Sequence, residues 1–335
     1  MRRSKRSEIY AVAEAAGVSV MTVSRAMRGV DGVSQAKRRE ILEIARRLNY
    51  VPNSNARALS QANADLIGIS LPTLFNDVFA DVLVGMRGTI RRAGFSTVVE
   101  TTEYEPEAEL RWVERLLSWR PAAIILTGVD HHPDLRGLLR AAKVPTLETW
   151  DHAPDPIDIC VGMDHYAAGQ QIGQYIYDLG YRAPAFVGVS VGRDTRADQR
   201  AAGIGQAFSN DLIRIATTHE NAFRMGAVGT RDLLGAHRPD VIFYLNDHLA
   251  FGGMMAAQEL GLNAPKDIGI VGFNALDLNT VLPVPLTTVR TPRRLLGVTG
   301  ARNLLARLHG IKGERTTVLP VDIVAGGTTR LQDQT

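Results

Sequence analysis

The chain has 335 residues, 45% hydrophobic and 22% charged, with a net charge of +3, more than one typical core organises, so two or more folding units are expected. No apolar run approaches the about 18 residues a membrane span requires. Cys160 is the sole cysteine, which excludes an intramolecular disulfide and a thiolate zinc cluster and leaves buried filler as its role. The basic start, Met1 to Arg6, is like the n-region of an export signal, but Glu14 interrupts the apolar stretch that follows. A retained, cytoplasmic protein is expected.

Charge is unevenly distributed. Residues 1–60 carry twelve Lys/Arg against five Asp/Glu, a net +7, and the remainder carries −4. A compact basic head on a mildly acidic body suits a phosphate-backbone binder, where each neutralised phosphate releases counterions.

From Ile9 to Arg28 the apolar positions fit two short helices broken at Gly17, where positive φ permits a tight turn. Small Ala13 lets the helices approach, Val23 packs from the second into the first, and Ser19 stands at the N-cap of the second. Ser34 can cap a third helix, in which Ile41, Ile44, Ala45 and Leu48 recur as an apolar stripe that closes a three-helix core. In a helix-turn-helix the second helix enters the major groove. Its outward residues are Val20, Met21 and Arg25: Arg25 can pair bidentately with guanine, and the other two offer apolar contact to thymine methyls. Thr22, Ser24 and Arg28 are placed as phosphate anchors.

The run AVAEAAGVSVMTVSRAM, followed by VSQAKRREILEIARRLNYVPNSNARALS, resembles the DNA-binding head and hinge of LacI/GalR transcriptional repressors, and LIGISLP, YLNDHLAFGGMMAAQELGL, DIGIVGFN and PLTTVRTP continue the resemblance in family order. Ala11 departs from it, since many relatives carry Asp there. Within the family, LPTLFNDVFADVLVGM, EPEAELRWVERLLSW and VGMDHYAAG are similar to gluconate-operon repressors. The resemblance implies an all-α helix-turn-helix head over residues 1–52, a hinge over 53–63 and an effector-binding and dimerisation domain over 64–335. It also implies that two copies of the hinge, with Ala56 and Leu59 as apolar positions, pair in the minor groove, Leu59 acting as a wedge that kinks the duplex. So short a helix is not stable alone, and its folding is expected to depend on DNA and on the domain that follows.

Beyond the hinge, LIGIS, a helical stripe of Phe79, Val82, Leu83, Met86 and Ile90, then STVVE and AAIILTG alternate strand with helix, and the pattern restarts at APAFVGVS, VIFYLN and IGIVGF. Such alternation predicts an α/β body of two lobes with parallel sheets. The resemblance implies a periplasmic-binding-protein-like fold, with lobe one about 64–163 and 292–321 and lobe two about 164–291 and 322–335.

Ligands meet open parallel sheets at the carboxyl ends of strands. The polar residues there include Asn76, Asp164, Arg200, Asn246 and Asp247, with Phe79 as an apolar wall of the kind a polyol stacks on. Under the resemblance, Asp164, Arg200 and Asp247 match effector-contacting positions and Phe75, Asn76 and Phe79 match the first-lobe contact loop, while Asn221 and Phe223 compete for a further wall position. A sugar acid such as gluconate, or its phosphorylated or keto form, needs a cation for its carboxylate: Arg200 first, with Arg193 or Arg196 behind it.

The expected protein is a homodimeric repressor that binds double-stranded operator DNA and answers to a small sugar or sugar-acid effector, with no catalytic residue, cofactor, metal or membrane. The end LQDQT adds no leucine heptads, which favours dimer over tetramer. A solute-binding protein of a sugar transport system and a repressor answering to a neutral sugar are the alternatives. Gly188 to Gly192, GVSVG, matches a nucleophile elbow formally, but a charged loop follows instead of an apolar helix. Gly203 and Gly205 lack a third glycine, and His131-His132 lacks further ligands for a metal.

Overall fold

The computed structural model describes residues 6–50, 65–74, 77–219 and 221–331. Two compact units are distinguished, residues 1–64 with 116–121 and residues 65–115 with 122–335. The head consists of α1 (Arg6–Ala16), α2 (Val20–Arg28) and α3 (Gln35–Arg47). Gly17 adopts φ +63, and Val18 N–H donates back to Ala13 O at 3.0 Å, so the chain turns within three residues. Val12, Ala13, Ala16, Val23, Ala26, Ile41, Ile44 and Ala45 form the buried centre. Leu48 departs from the predicted stripe: it ends α3 and is 45% exposed, while Tyr50 packs on the core instead. The helix stops at Arg47, one residue before Leu48, so Leu48 caps its end instead of continuing the buried stripe. The hinge, with Ala56 and Leu59, lies outside the described residues.

The body alternates strand and helix. A first series runs β1 (Leu66–Leu71), α4 (Asp77–Arg92), β2 (Ser96–Thr101), α5 (Pro106–Leu117), β3 (Ala123–Thr127), α6 (Pro133–Ala142), β4 (Thr146–Asp151) and β5 (Ile159–Met163). A second runs α7 (His165–Asp178), β6 (Pro184–Gly188), α8 (Thr195–Ala207), β7 (Ile213–Ala216), α9 (Ala222–Ala236), β8 (Val241–Tyr244), α10 (Asp247–Glu259) and β9 (Gly269–Val271). Then come β10 (Thr288–Arg290), α11 (Arg293–Leu308), β11 (Thr316–Val318) and β12 (Asp322–Val324).

One sheet has the order β11-β5-β4-β3-β1-β2 and the other β7-β6-β8-β9. All pairings within both are parallel. Parallel strands are covered on both faces, so β3, β5 and β6 read as unbroken apolar runs and are buried throughout. On α4 the predicted stripe turns inward, with Phe79, Val82, Met86 and Ile90 buried and Leu83 half-buried. The chain passes from the first lobe into the second between β5 and α7. It returns through α11, which packs on α4, and β11 joins the first sheet beside β5. At this junction β12 pairs antiparallel with β10. Helices α7 and α8 touch backbone to backbone, because a Cβ at Gly169 would strike the Arg200 carbonyl and one at Gly203 the Tyr166 carbonyl. That contact fixes the helix from which Arg196 and Arg200 project.

Candidate functional site

In the head, the Ser19 hydroxyl accepts the Thr22 N–H at 3.1 Å and lies 2.9 Å from the Thr22 hydroxyl, which fixes where α2 begins. Val23 and Ala26 turn inward. Met21, 60% exposed, and Arg25, four residues on, share the outward face. Val20, Thr22 and Ser24 are half-buried, and Val20 packs partly on the head's core. The Arg25 guanidinium passes over Gly32, where an added Cβ would lie 3.4 Å from Nη1. Arg38 braces the α2–α3 loop by donating to Val30 O at 2.7 Å. The Arg28 side chain lies outside the description.

In the body, a cavity of about 710 Å³ opens where the strands of both sheets end at their carboxyl sides, within the roughly 300–1,000 Å³ usual for small-molecule sites. Its first-lobe wall presents Glu103, Glu105, Glu109 and Asp130; its second-lobe wall presents Arg193, Asp194, Arg196, Thr217, His219 and Asn246. An acidic side thus faces one that carries two arginines and a single carboxylate. Thr217 is 5% exposed and its hydroxyl has no hydrogen-bond partner.

The lobes are tied beside this cavity. Thr195 Oγ1 donates to Asp130 Oδ2 at 2.5 Å, and Arg196 Nε donates to Asp151 Oδ2 at 2.9 Å. Gly128, φ +106, makes room for that arginine, since a Cβ there would stand 2.6 Å from its Nη2. Burial would push the Asp151 carboxyl up, but Arg196 and His165 outweigh it and hold it at about 2. His165 Nε2 lies 2.9 Å from Asp151 Oδ1 and Nδ1 lies 3.1 Å from Arg200 Nη1. A guanidinium can only donate, so Nδ1 accepts and the Nε2 proton goes to Asp151. Burial pushes the His165 pKa down, consistent with this neutral form.

A second buried network lies behind the acidic wall. Glu109 accepts the Ser70 hydroxyl at 2.6 Å on Oε1 and meets His131 Nδ1 at 2.6 Å on Oε2. Glu148 Oε1 is 3.6 Å from His131 Nε2, and its Oε2 accepts the Ile157 N–H. Burial pulls the imidazole down, but bonding and attraction to Glu109 and then Glu148 prevail and push its pKa up to about 9. His131 is therefore a cation at neutral pH, set between two carboxylates.

A family profile described as bacterial regulatory proteins, lacI family, matches residues 8–53, and one described as periplasmic binding proteins and sugar binding domain of LacI family matches residues 64–325. The chain belongs to the LacI family. The HTH-type transcriptional regulator GntR of Escherichia coli (strain K12) is 34% identical over 326 residues, covering 96% of this chain and 97% of that one. A LacI-family transcriptional regulator from Silicibacter pomeroyi has a solved structure with TM-score 0.88 at 34% identity, covering 96% and 98%. The lac repressor dimer bound to operator and the anti-inducer ONPF gives 0.83 at 26% identity, again covering 96% and 98%. This LacI-family chain is a DNA-binding transcriptional regulator, with a helix-turn-helix head and a periplasmic-binding-protein-like body, and not an enzyme. A transport-system solute-binding protein would not carry the matched head.

Within this LacI-family body, Asn246 is the expected effector residue that lines the cavity; its Oδ1 caps α10 by accepting Leu249 N–H at 3.1 Å, leaving Nδ2 to offer. Arg193 and Arg196, placed second behind Arg200 in the sequence reading, line it too. Arg200 does not: it is buried, bonded to His165 and Leu245 O, with its guanidinium 4.4 Å over the Phe273 ring. Asp247 is fully buried and accepts Thr288 Oγ1–H at 2.6 Å and Leu276 N–H at 2.7 Å. Asp164 caps α7 through Ala167 N–H. Phe79 packs edge-on against Trp150 in the core, 5.5 Å between ring centres. Asn221 caps α9 and Phe223, exposed, leans on His248 and Phe251; the same helix gives Ala222 and Met225 to the cavity instead. Phe75 and Asn76 lie outside the described residues. Sequence reasoning missed Glu109, Asp130 and Thr217. Thr217, directly after the IRIA strand, carried the same strand-end signal as the rest. GVSVG places Ser190 on an exposed loop before α8.

Proposed function

We propose that the protein is a homodimeric repressor whose affinity for a near-palindromic operator falls when a sugar acid, gluconate or a phosphorylated or keto relative, occupies the body cavity. The observation that carries this reading is the polarity of the cavity. Arg193 and Arg196 offer a carboxylate charge-assisted hydrogen bonds, while the opposite carboxylates and Asn246 suit a chain of hydroxyls. The E. coli relative's name, GntR, accords with the gluconate class. Arg25 and Met21 are the base-reading residues, with Val20 beside them, and Thr22, Ser24 and Arg28 anchor phosphates. Residues 53–63 act as the hinge, with Ala56 and Leu59 in the minor groove.

A neutral sugar would leave Arg193 without an anionic partner, whereas Arg196 already has Asp151, and for that reason the neutral sugar stands second. A DNA-bound regulator of this class works in the cytoplasm, and no helix among the described residues is long and apolar enough to cross a membrane. Calorimetric titration of the full-length protein decides the effector class. Gluconate is expected to bind, and Arg196→Gln to weaken it at least tenfold; heat from neutral sugars with silence from sugar acids would overturn the sugar-acid assignment.

A further inference from the structure

The basic wall explains how a carboxylate is held, but a carboxylate alone does not distinguish one hydroxy acid from another. Discrimination requires a polar group that is rigid, dehydrated and short of partners. Glu109 fits this description. It lines the cavity, is 6% exposed, and is held from two sides, by the Ser70 hydroxyl on Oε1 and by His131 on Oε2, each at 2.6 Å. A carboxylate has about four acceptor positions, so two remain. Neither neighbour is free to wander: Ser70 belongs to β1, which is flanked by β2 and β3, and His131 has the buried Glu148 carboxylate 3.6 Å from its other nitrogen.

The surroundings point the same way. Glu109 keeps unfilled acceptor positions on the cavity side of a buried cluster, and a buried polar group of this kind calls for further donors. Hydroxyls are such donors. Across the cavity, the unpartnered and buried Thr217 hydroxyl is an independent sign that this space is shaped for a hydrogen-bonding occupant.

We infer that Glu109 accepts a hydrogen bond from one hydroxyl of the effector's polyol chain, and that His131 is the positioning residue that holds it there. The inference rests on the cavity being the effector site and adds the group that selects among hydroxy acids. Glu148 acts through His131 and does not touch the ligand.

The test pairs gluconate with its monodeoxy analogues, titrated by calorimetry into the full-length protein. A hydrogen bond to a charged acceptor predicts that one analogue binds roughly tenfold or more weakly than gluconate. In Glu109→Gln, which keeps the shape, that one ratio collapses toward unity while the ratios for the other analogues stay. His131→Gln reduces the same ratio, whereas a merely structural role would weaken all ligands alike. Should His131→Gln fail to fold by its thermal melt, Glu109→Gln carries the test alone. Unchanged ratios in folded Glu109→Gln would overturn the Glu109 assignment while leaving the effector class intact. Absence of binding by gluconate and every analogue to the native protein would overturn the hydroxy-acid reading and this assignment together.

Discussion

The DNA-reading helix and the ligand cavity present polar side chains in opposite ways. On α2, Met21 and Arg25 stand exposed on a scaffold whose stability comes from Val12, Val23 and Ile41 beneath. Around the cavity, polar residues are themselves the scaffold: Asp151, His165 and Arg200 form a buried chain, and Glu109, His131 and Glu148 another. Reading and folding are separable in the head and fused in the body. Substitutions in the head should therefore cost binding at constant stability, and substitutions in the body should cost stability first.

The largest expected effect is at Asp151. Asp151→Ala leaves Arg196 and His165 buried without their acceptor, and removal of one partner from such a pair costs about 3–5 kcal/mol. Urea denaturation followed by tryptophan fluorescence should show a lower midpoint at unchanged slope; an unchanged midpoint would mean the network is ornamental. Next comes His131. Its folded pKa of about 9 lies above the unfolded value of 6.5. Its contribution is therefore complete below about pH 6.5 and is lost as pH rises through about 9, on the order of 3 kcal/mol in all. Denaturation midpoints measured from pH 6 to 10 should fall in the native protein and fall less in His131→Gln. Smallest is Arg25→Ala, which should weaken operator binding by about 1–3 kcal/mol and relax specificity at one base pair. Its unfolding should shift by no more than about 0.5 kcal/mol, as for other exposed positions.

The same contrast explains what could be read in advance. The head was legible because its signals are local: Gly17, Ser19 and Ser34 mark ends, and the 3.6-residue period marks the buried face. Leu48, just past the end of its helix, and Val20, half-buried against the core, are the exceptions among the described residues. The apolar strands β1, β3, β6 and β8 were equally plain. Strand β4, TLETWD, was not. It carries Glu148, Thr149 and Asp151, yet all six residues are buried, because their partners, Ile157, Val161, His165 and Arg196, with His131 near Glu148, lie on other elements. The cavity suffered from the same non-locality. Arg200 and Asp247 have the residue types a sugar site wants, but His165 and Leu245 O take Arg200 Nη1 and Nη2, leaving Nε buried without a partner, and Thr288 and Leu276 N–H take the two Asp247 oxygens. Arg196, one turn earlier on α8, is the residue that reaches the cavity. Strand-end position pointed to Asn246 and to the helix that carries Arg196, and which residue reaches the cavity is set by packing within the second lobe.

The central claim is that filling the cavity changes the head's hold on DNA. An operator selected from a random DNA pool by the full-length protein, labelled and followed by fluorescence anisotropy with and without saturating gluconate, tests it most directly. The account predicts weaker binding with gluconate, within the roughly 5–150-fold typical of allosteric coupling, and no such response in Arg196→Gln. Operator affinity that stays constant at gluconate concentrations shown by calorimetry to fill the site would contradict it.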